Sequence, residues 1–383
     1  MSYGPPMWRI LCVAGARPNF MKIAPLLRAF RADARFEAKL VHTGQHYDDK
    51  LSKVFFDELA IPRPDLELEV GSGSHAQQTA EIMKRFEPVV SAEQPHGVLV
   101  VGDVNSTIAC AMVAAKMFRD EAFSFRGAPR KRPVIIHVEA GLRSHDGDMP
   151  EETNRLLTDV ISDLLFVSEP SGMTNLAREG VGPERAIMVG NVMIDTLLAA
   201  RDRAMQSTVL STLGVADGSY GLVTLHRPSN VDDPDMLHNL IGILDGFGIP
   251  LVFPVHPRTR KRIADAGIQL PTERWKLIEP LGYLDFLRLQ ASARVVLTDS
   301  GGVQEETTVL GVPCITLREN TERPATVEQG TNQLVGTDRS AIIAAYNKID
   351  QVRAAARVPE MWDGKSAERI VAAIAQTLTL RER

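Results

Sequence analysis

Short apolar runs that alternate with helix-spaced segments are the feature that most narrows what this chain can fold into. The runs are Arg9 to Ala14, Ala38 to His42, Gly97 to Val101, Pro133 to Val138 and Leu164 to Val167, then Gly221 to Leu225, Pro250 to Val255 and Arg294 to Leu297. Such alternation predicts βαβ units and parallel sheets. The halves also echo each other. A strand running into Ala16-Arg17-Pro18-Asn19 and the helical pattern Met21 to Phe30 is matched by one running into His226-Arg227-Pro228-Ser229-Asn230 and the pattern Pro234 to Leu244. Later in each half an apolar strand meets an acid and a polar turn, Val101-Gly102-Asp103 in one and Thr298-Asp299-Ser300-Gly301-Gly302 in the other. Two similar α/β domains explain the echo better than one large sheet.

With 383 residues the chain has room for two domains, since one usually takes about 100 to 200. A boundary at Gly190-Asn191 divides it into residues 1–190 and 191–365, with an amphipathic final helix over 366–380 that must pack on something, if only to close the core. Ligands of open α/β sheets bind beyond the carboxyl ends of the strands, where the polar turns lie, so facing domains would share one cleft. A net charge of -5 supplies no basic field for nucleic acid or an anionic membrane, so an anionic ligand must be held locally. No stretch reaches the roughly 18 consecutive apolar residues of a span, and the best, Val98 to Phe118, is interrupted by Asp103 and Asn105. Cys12, Cys110 and Cys314 stand far apart in apolar segments. They read as core residues of a cytoplasmic protein rather than a zinc set or a disulfide frame.

Several side chains carry chemistry in these turns. Ser300, Gly301 and Gly302 open a helix after a strand, a place where free N–H groups and the helix dipole favour phosphate; a tight connection capped by Ser300 has the same sequence. Glu305 and Glu306 follow in the first turn, where they suit the dipole, or where a buried carboxylate accepts ribose hydroxyls. Arg17 and Lys22 flank the first helix start, and Arg323 sits in Thr321-Glu322-Arg323-Pro324; each is a candidate cation for a diphosphate, though lone surface cations are usually only solvated. Asp103 and Glu139 end apolar strands, where burying a carboxylate is costly without a task or a partner. For Glu139, Arg143 is a candidate partner. Glu151 follows Pro150 at a helix start and also serves the dipole. His226 ends a strand, as a proton donor to a leaving phosphate or as a core histidine. No metal-ligand spacing is present in the sequence.

The segments Gly15-Ala16-Arg17-Pro18, Thr43-Gly44-Gln45-His46, Gly102-Asp103, His137 to Arg143, Pro150 to Arg155, Gly190-Asn191, Asp299 to Gly302 and Thr321 to Pro324 occur in the order seen in the non-hydrolysing UDP-N-acetylglucosamine 2-epimerases, and the chain resembles that family over nearly its whole length. The resemblance implies a GT-B-like α/β fold, two Rossmann-like domains facing a central cleft with the final helix crossing back to join the first domain, and a homodimer. It implies reversible C2 epimerisation of a UDP-2-acetamido sugar through loss of UDP to a glycal and re-addition, with no metal or redox cofactor. It implies that Asp103, Glu139, Glu151 and His226 are catalytic, and that Arg17, Lys22, Ser300, Gly301 and Gly302 hold the diphosphate. By the same resemblance Glu306 holds the ribose, Phe286 lies near the uracil, and Arg323 lies near the sugar.

The chain also departs from the family. Many bacterial members respond to substrate at a second site built from glutamines and an arginine; here Gln45 is present, but Tyr47-Asp48 follows His46 and Gly71 to His75 offers no arginine. Asp48 and Ser74 stand where an amide and a cation would meet that substrate, so hyperbolic initial rates are expected. A basic stretch, Arg119 to Arg132, reads as a solvated insertion. Rival functions are a hydrolysing 2-epimerase, a GT-B glycosyltransferase and a nucleotide-sugar sensor; the four candidate catalytic residues together argue against the sensor.

Overall fold

The structure is a computed structural model that describes residues 7–44 and 58–379. Its first strands are β1 (Trp8–Ala14), β2 (Phe36–His42), β3 (Leu66–Glu67), β4 (Gly97–Val101), β5 (Phe123–Phe125), β6 (Ala128–Arg130), β7 (Val134–Ala140), β8 (Leu164–Val167) and β9 (Ala186–Met188). The later ones are β10 (Gly221–Thr224), β11 (Leu251–Pro254), β12 (Trp275–Ile278), β13 (Val295–Thr298), β14 (Cys314–Thr316), β15 (Asn332–Leu334) and β16 (Leu378–Thr379). Two compact units result, residues 1–196 with 360–383, and residues 197–359. The division falls within the helix Val192–Met205, a few residues beyond the turn at Gly190.

In the first unit the strand order is β3-β2-β1-β4-β7-β8-β9, and in the second β12-β11-β10-β13-β14-β15. Every pairing in both sheets is parallel. Leaving aside β5 and β6, both sheets are wound outward from their first strand in the two directions of a Rossmann fold, with the switch between β1 and β4 and between β10 and β13. Val98, Leu99 and Val100 are fully buried, as strands covered by helices on both faces must be, and this explains why the runs are continuously apolar rather than alternating. Leu11, Val98, Val100 and Ile135 meet Ile82, Phe86 and Val90 of the helix His75–Glu93 on one face. In the second unit Val223, Phe253, Leu297 and Ile315 meet Leu237, Leu240 and Ile241 of the helix Pro234–Asp245.

The last helix, Ser366–Thr377, belongs to the first unit, where it packs on the helix Arg17–Arg31 through a buried stripe of Ile370, Val371 and Ile374. Its first N–H groups, of Ser366 and Ala367, donate to the Asp195 carboxylate at 3.1 and 2.7 Å. The chain then adds β16 antiparallel to β5, with Leu378 opposite Phe125. The segment Arg119 to Arg132, mostly exposed, is thus more than a solvated insertion. It forms the β5–β6 hairpin, buries Phe123 and Phe125, and ion-pairs Arg130 with Asp163 at 2.5 Å. Its arginines cover apolar rings, Arg126 and Arg130 lying over Phe125, which is why a basic stretch folds here.

Candidate active site

Turns at both switch points are tied to the strand across the switch. Asn19 takes the N–H groups of Gly15 and Ala16 on its carbonyl oxygen at 3.1 and 2.9 Å and donates to the Val101 carbonyl at 3.2 Å, joining the end of β1 to the end of β4. Beside it lies Gly102, with φ 65°, a left-handed turn whose missing Cβ would stand 2.8 Å from Lys22 Nζ and 3.2 Å from Glu139 Oε2. Lys22 and Glu139 form a buried ion pair. Lys22, Asp103 and Glu139 thus gather around one turn, and the partner of Glu139 is Lys22 rather than Arg143. Arg143 instead binds Asp159 at 2.7 Å and Glu179 at 2.6 Å.

Glu139 is held in an unusual way. It has φ 73° where β7 shifts register against β8, a bulge that turns one side chain out of the strand's alternation. Two residues earlier, fully buried His137 sets Nδ1 2.6 Å from Asp159 and Nε2 2.8 Å from the Gly102 carbonyl, which it can hold only by donating. Burial alone would raise Asp159, but His137 and Arg143 outweigh it and keep this carboxyl below its ordinary range.

Asp103 does not cap the next helix, whose N-cap is Val104. Its Oδ2 accepts from Arg155 Nη2 at 2.6 Å, and its main-chain oxygen accepts from Asn154 at 2.8 Å. Glu151, the second residue of the helix Pro150–Ile161, lines a pocket with Ser72, His75, Gln78, Asn105 and Asn154. Glu152 is bound up locally, by Ser144 N–H at 3.1 Å, His145 N–H at 3.0 Å and Arg155 at 2.6 Å. Arg17 opens the first helix. Gln45, His46, Tyr47 and Asp48 lie outside the described residues; Ser74 accepts from Gln77 N–H as the cap of its helix.

In the second unit, His226 is no core histidine. Its side chain is 56% exposed, while Nδ1 lies 2.8 Å from the fully buried Asp299. Asp299 also accepts the N–H groups of His226 at 3.0 Å and Arg227 at 2.9 Å, and Asn230 at 3.2 Å. Burial pushes its carboxyl up, but these donors win and hold it below the usual range. An ionised Asp299 fixes the proton on Nδ1, so Nε2 is the nitrogen free for proton exchange.

Ser300 stands at the N-cap of the helix Gly301–Leu310 without a side-chain cap bond, so the first-turn N–H groups, including those of Gly301 and Gly302, stay available to an anion. A Cβ at Gly301 would lie 2.8 Å from Glu322 Oε1, so that carboxylate would have to shift to admit a side chain. On the same helix, buried Glu305 pairs with Arg323 at 2.7 Å, and Glu306 accepts the Tyr283 hydroxyl at 3.0 Å. Burial pushes Glu306 up to about 7 against the Tyr283 hydrogen bond. Phe286, partly buried, packs against the cluster of Tyr220, Leu222 and Leu289. Among the described residues, no three His, Cys, Asp or Glu side chains gather as metal ligands.

Sequence reasoning passed over Asn19, Arg155, Tyr283 and the orienting role of Asp299. Arg155 had a visible signal, standing three and four residues after Glu152 and Glu151 on one helix face.

The model of the family "UDP-N-acetylglucosamine 2-epimerase" matches residues 28–375. A UDP-N-acetylglucosamine 2-epimerase of Methanocaldococcus jannaschii is 40% identical over 375 residues, covering 95% of this chain and 98% of its own. A UDP-2,3-diacetamido-2,3-dideoxy-D-glucuronate 2-epimerase of Pseudomonas aeruginosa is 41% identical over 342 residues, covering 88% and 90%. Among solved structures, the M. jannaschii UDP-GlcNAc 2-epimerase in complex with UDP-GlcNAc and UDP superposes with a TM-score of 0.85 at 39% identity, covering 96% of this chain and 99% of that one. Two Rossmann-like units of the same winding, likeness along almost the whole chain and a matching family model lead to one conclusion: the chain belongs to the UDP-N-acetylglucosamine 2-epimerase family.

Proposed function

We propose that this chain is an isomerase that reversibly inverts C2 of a UDP-2-acetamido sugar, interconverting UDP-N-acetylglucosamine and UDP-N-acetylmannosamine or a close relative. The observation that carries the reading is Glu139, a carboxylate turned out of its strand by a positive-φ bulge and set with Lys22 and Asp103 around the Gly102 turn. The hydrogen on C2 has no neighbouring carbonyl to acidify it. Departure of UDP from C1 develops oxocarbenium character that does, and loss of the C2 proton leaves a C1=C2 glycal and UDP. UDP then adds back to C1 while a proton reaches the opposite face of C2, so the reaction is redox-neutral. Asp103, Glu139 and Glu151 are the carboxylates for proton transfer and for the developing positive charge. His226, oriented by Asp299, hands a proton to the departing phosphate oxygen and takes it back on re-addition. The N–H groups after Ser300, with Arg17 and Lys22, serve the diphosphate; Glu306 the ribose, Phe286 the uracil and Arg323 the sugar.

The experiment is NMR of the purified protein with UDP-N-acetylglucosamine. The anomeric signal of the manno epimer should grow with the UDP linkage intact. Free UDP and free sugar appearing in step would instead mark a hydrolase. No reaction with this sugar, but turnover of UDP-2,3-diacetamido-2,3-dideoxy-D-glucuronate, would assign the substrate of the Pseudomonas relative.

We further infer a cytoplasmic homodimer. The exposed Leu156, Leu157 and Val160 on the helix Pro150–Ile161 support a partner copy covering that face, and three buried free cysteines suit a reducing compartment. Sedimentation giving a single-chain particle at micromolar concentration would contradict the dimer.

A further inference from the structure

Arg155 is 4% exposed and lies between two carboxylates. Nη2 donates to Asp103 Oδ2 and Nη1 to Glu152 Oε2, each at 2.6 Å. Glu152 is itself immobilised, because Ser144 donates to it through both N–H and Oγ at 3.1 Å and His145 through N–H at 3.0 Å. The guanidinium is therefore a strut with one end anchored in the loop after β7 and the other on Asp103. The next residue back, Asn154, holds the main-chain oxygen of Asp103 at 2.8 Å, so one helical turn fixes both the backbone and the carboxylate. A planar fork can bridge two carboxylates and set the rotation of each; an ammonium, a point charge, cannot. Holding Oδ2 leaves Oδ1 as the oxygen for a reacting hydrogen.

We propose that Arg155 is a positioning residue for the epimerisation, fixing the direction of the Asp103 carboxylate by bridging it to Glu152. This rests on the functional reading above, in which Asp103 serves proton transfer.

A double-mutant cycle tests it, with kcat, KM and UDP affinity measured for the parent protein, Arg155→Lys, Asp103→Asn and the double variant. Arg155→Lys keeps the charge and loses the bridge, and kcat should fall about 100-fold, the scale of a misplaced catalytic group, while KM and UDP affinity stay within about twofold. In the Asp103→Asn background the same substitution should change the residual single-turnover rate by less than about twofold, because it acts through the missing carboxylate. Losses that multiply in the double variant, or an Arg155→Lys protein with the parent kcat, would overturn the proposal. Should Arg155→Lys not fold, Glu152→Gln loosens the same strut from its other end and must show the same loss and the same non-additivity. A parent protein that epimerises no UDP-2-acetamido sugar would fail the functional reading itself, independently of any variant.

Discussion

Glu306, proposed above to hold the ribose, shows what burial does to a carboxyl group. Burial pushes its carboxyl up to about 7, with the Tyr283 hydroxyl offsetting part of the cost of charge. An acid whose folded pKa is raised adds stability in its protonated form, present below its ordinary value of 4.5 and lost as pH climbs through about 7. A ribose diol donates hydrogen bonds and so needs the ionised form, and binding of a UDP-sugar should weaken as pH falls below 7, by about tenfold per unit once the acid is mostly protonated. Calorimetry at pH 8, 7 and 6, repeated on Glu306→Gln, is the check: the variant should bind weakly with a flat profile. A parent protein whose affinity is level across that range would remove Glu306 from the ribose site. Several of the candidate site residues are legible in the amino-acid sequence itself. Asp103, Glu139 and His226 announce themselves as polar residues ending apolar strands, and Gly301-Gly302 as a helix start open to an anion. Partnership is what the sequence hides. Lys22 finds Glu139, and Arg155 finds Asp103, across long stretches of chain, and the bulge that aims Glu139 depends on the pairing of β7 with β8.

Among elements, the legible strands are those buried on both faces, such as β1, β4 and β7, whose continuous apolar runs need no partner to be recognised. Short strands are not: β5, β6 and β16 have two or three residues each, and their strand character comes from pairing the Arg119 to Arg132 segment with the chain's last described residues. The last helix has a comparable long-range support. Asp195 receives both of its leading N–H groups, so a residue far back in the chain acts as its cap. Asp195→Ala should cost about 1–2 kcal/mol, the range of a lost cap, seen as a lower melting temperature. Hydrogen exchange should quicken in Ser366–Thr377 more than in the core strands. Unchanged exchange in that helix would show that packing on the helix Arg17–Arg31 holds it without the cap.

At the scale of the whole molecule, two sheets of one winding each bring their polar residues to the point where the winding reverses, between β1 and β4 and between β10 and β13. The division of labour follows the chemistry available. Under the proposed function the first unit would supply the carboxylates Asp103, Glu139 and Glu151 for a carbon acid, and the second N–H donors, the His226–Asp299 pair and Glu306 for a nucleoside diphosphate. The central claim is that the C2 hydrogen leaves as a proton while UDP is off the sugar and still bound. Incubation with UDP-N-acetylglucosamine in heavy water tests it, with mass spectrometry and proton NMR of the recovered nucleotide sugars. Both epimers should carry one deuterium at C2 with the UDP linkage retained; epimerisation that leaves C2 undeuterated would contradict the account.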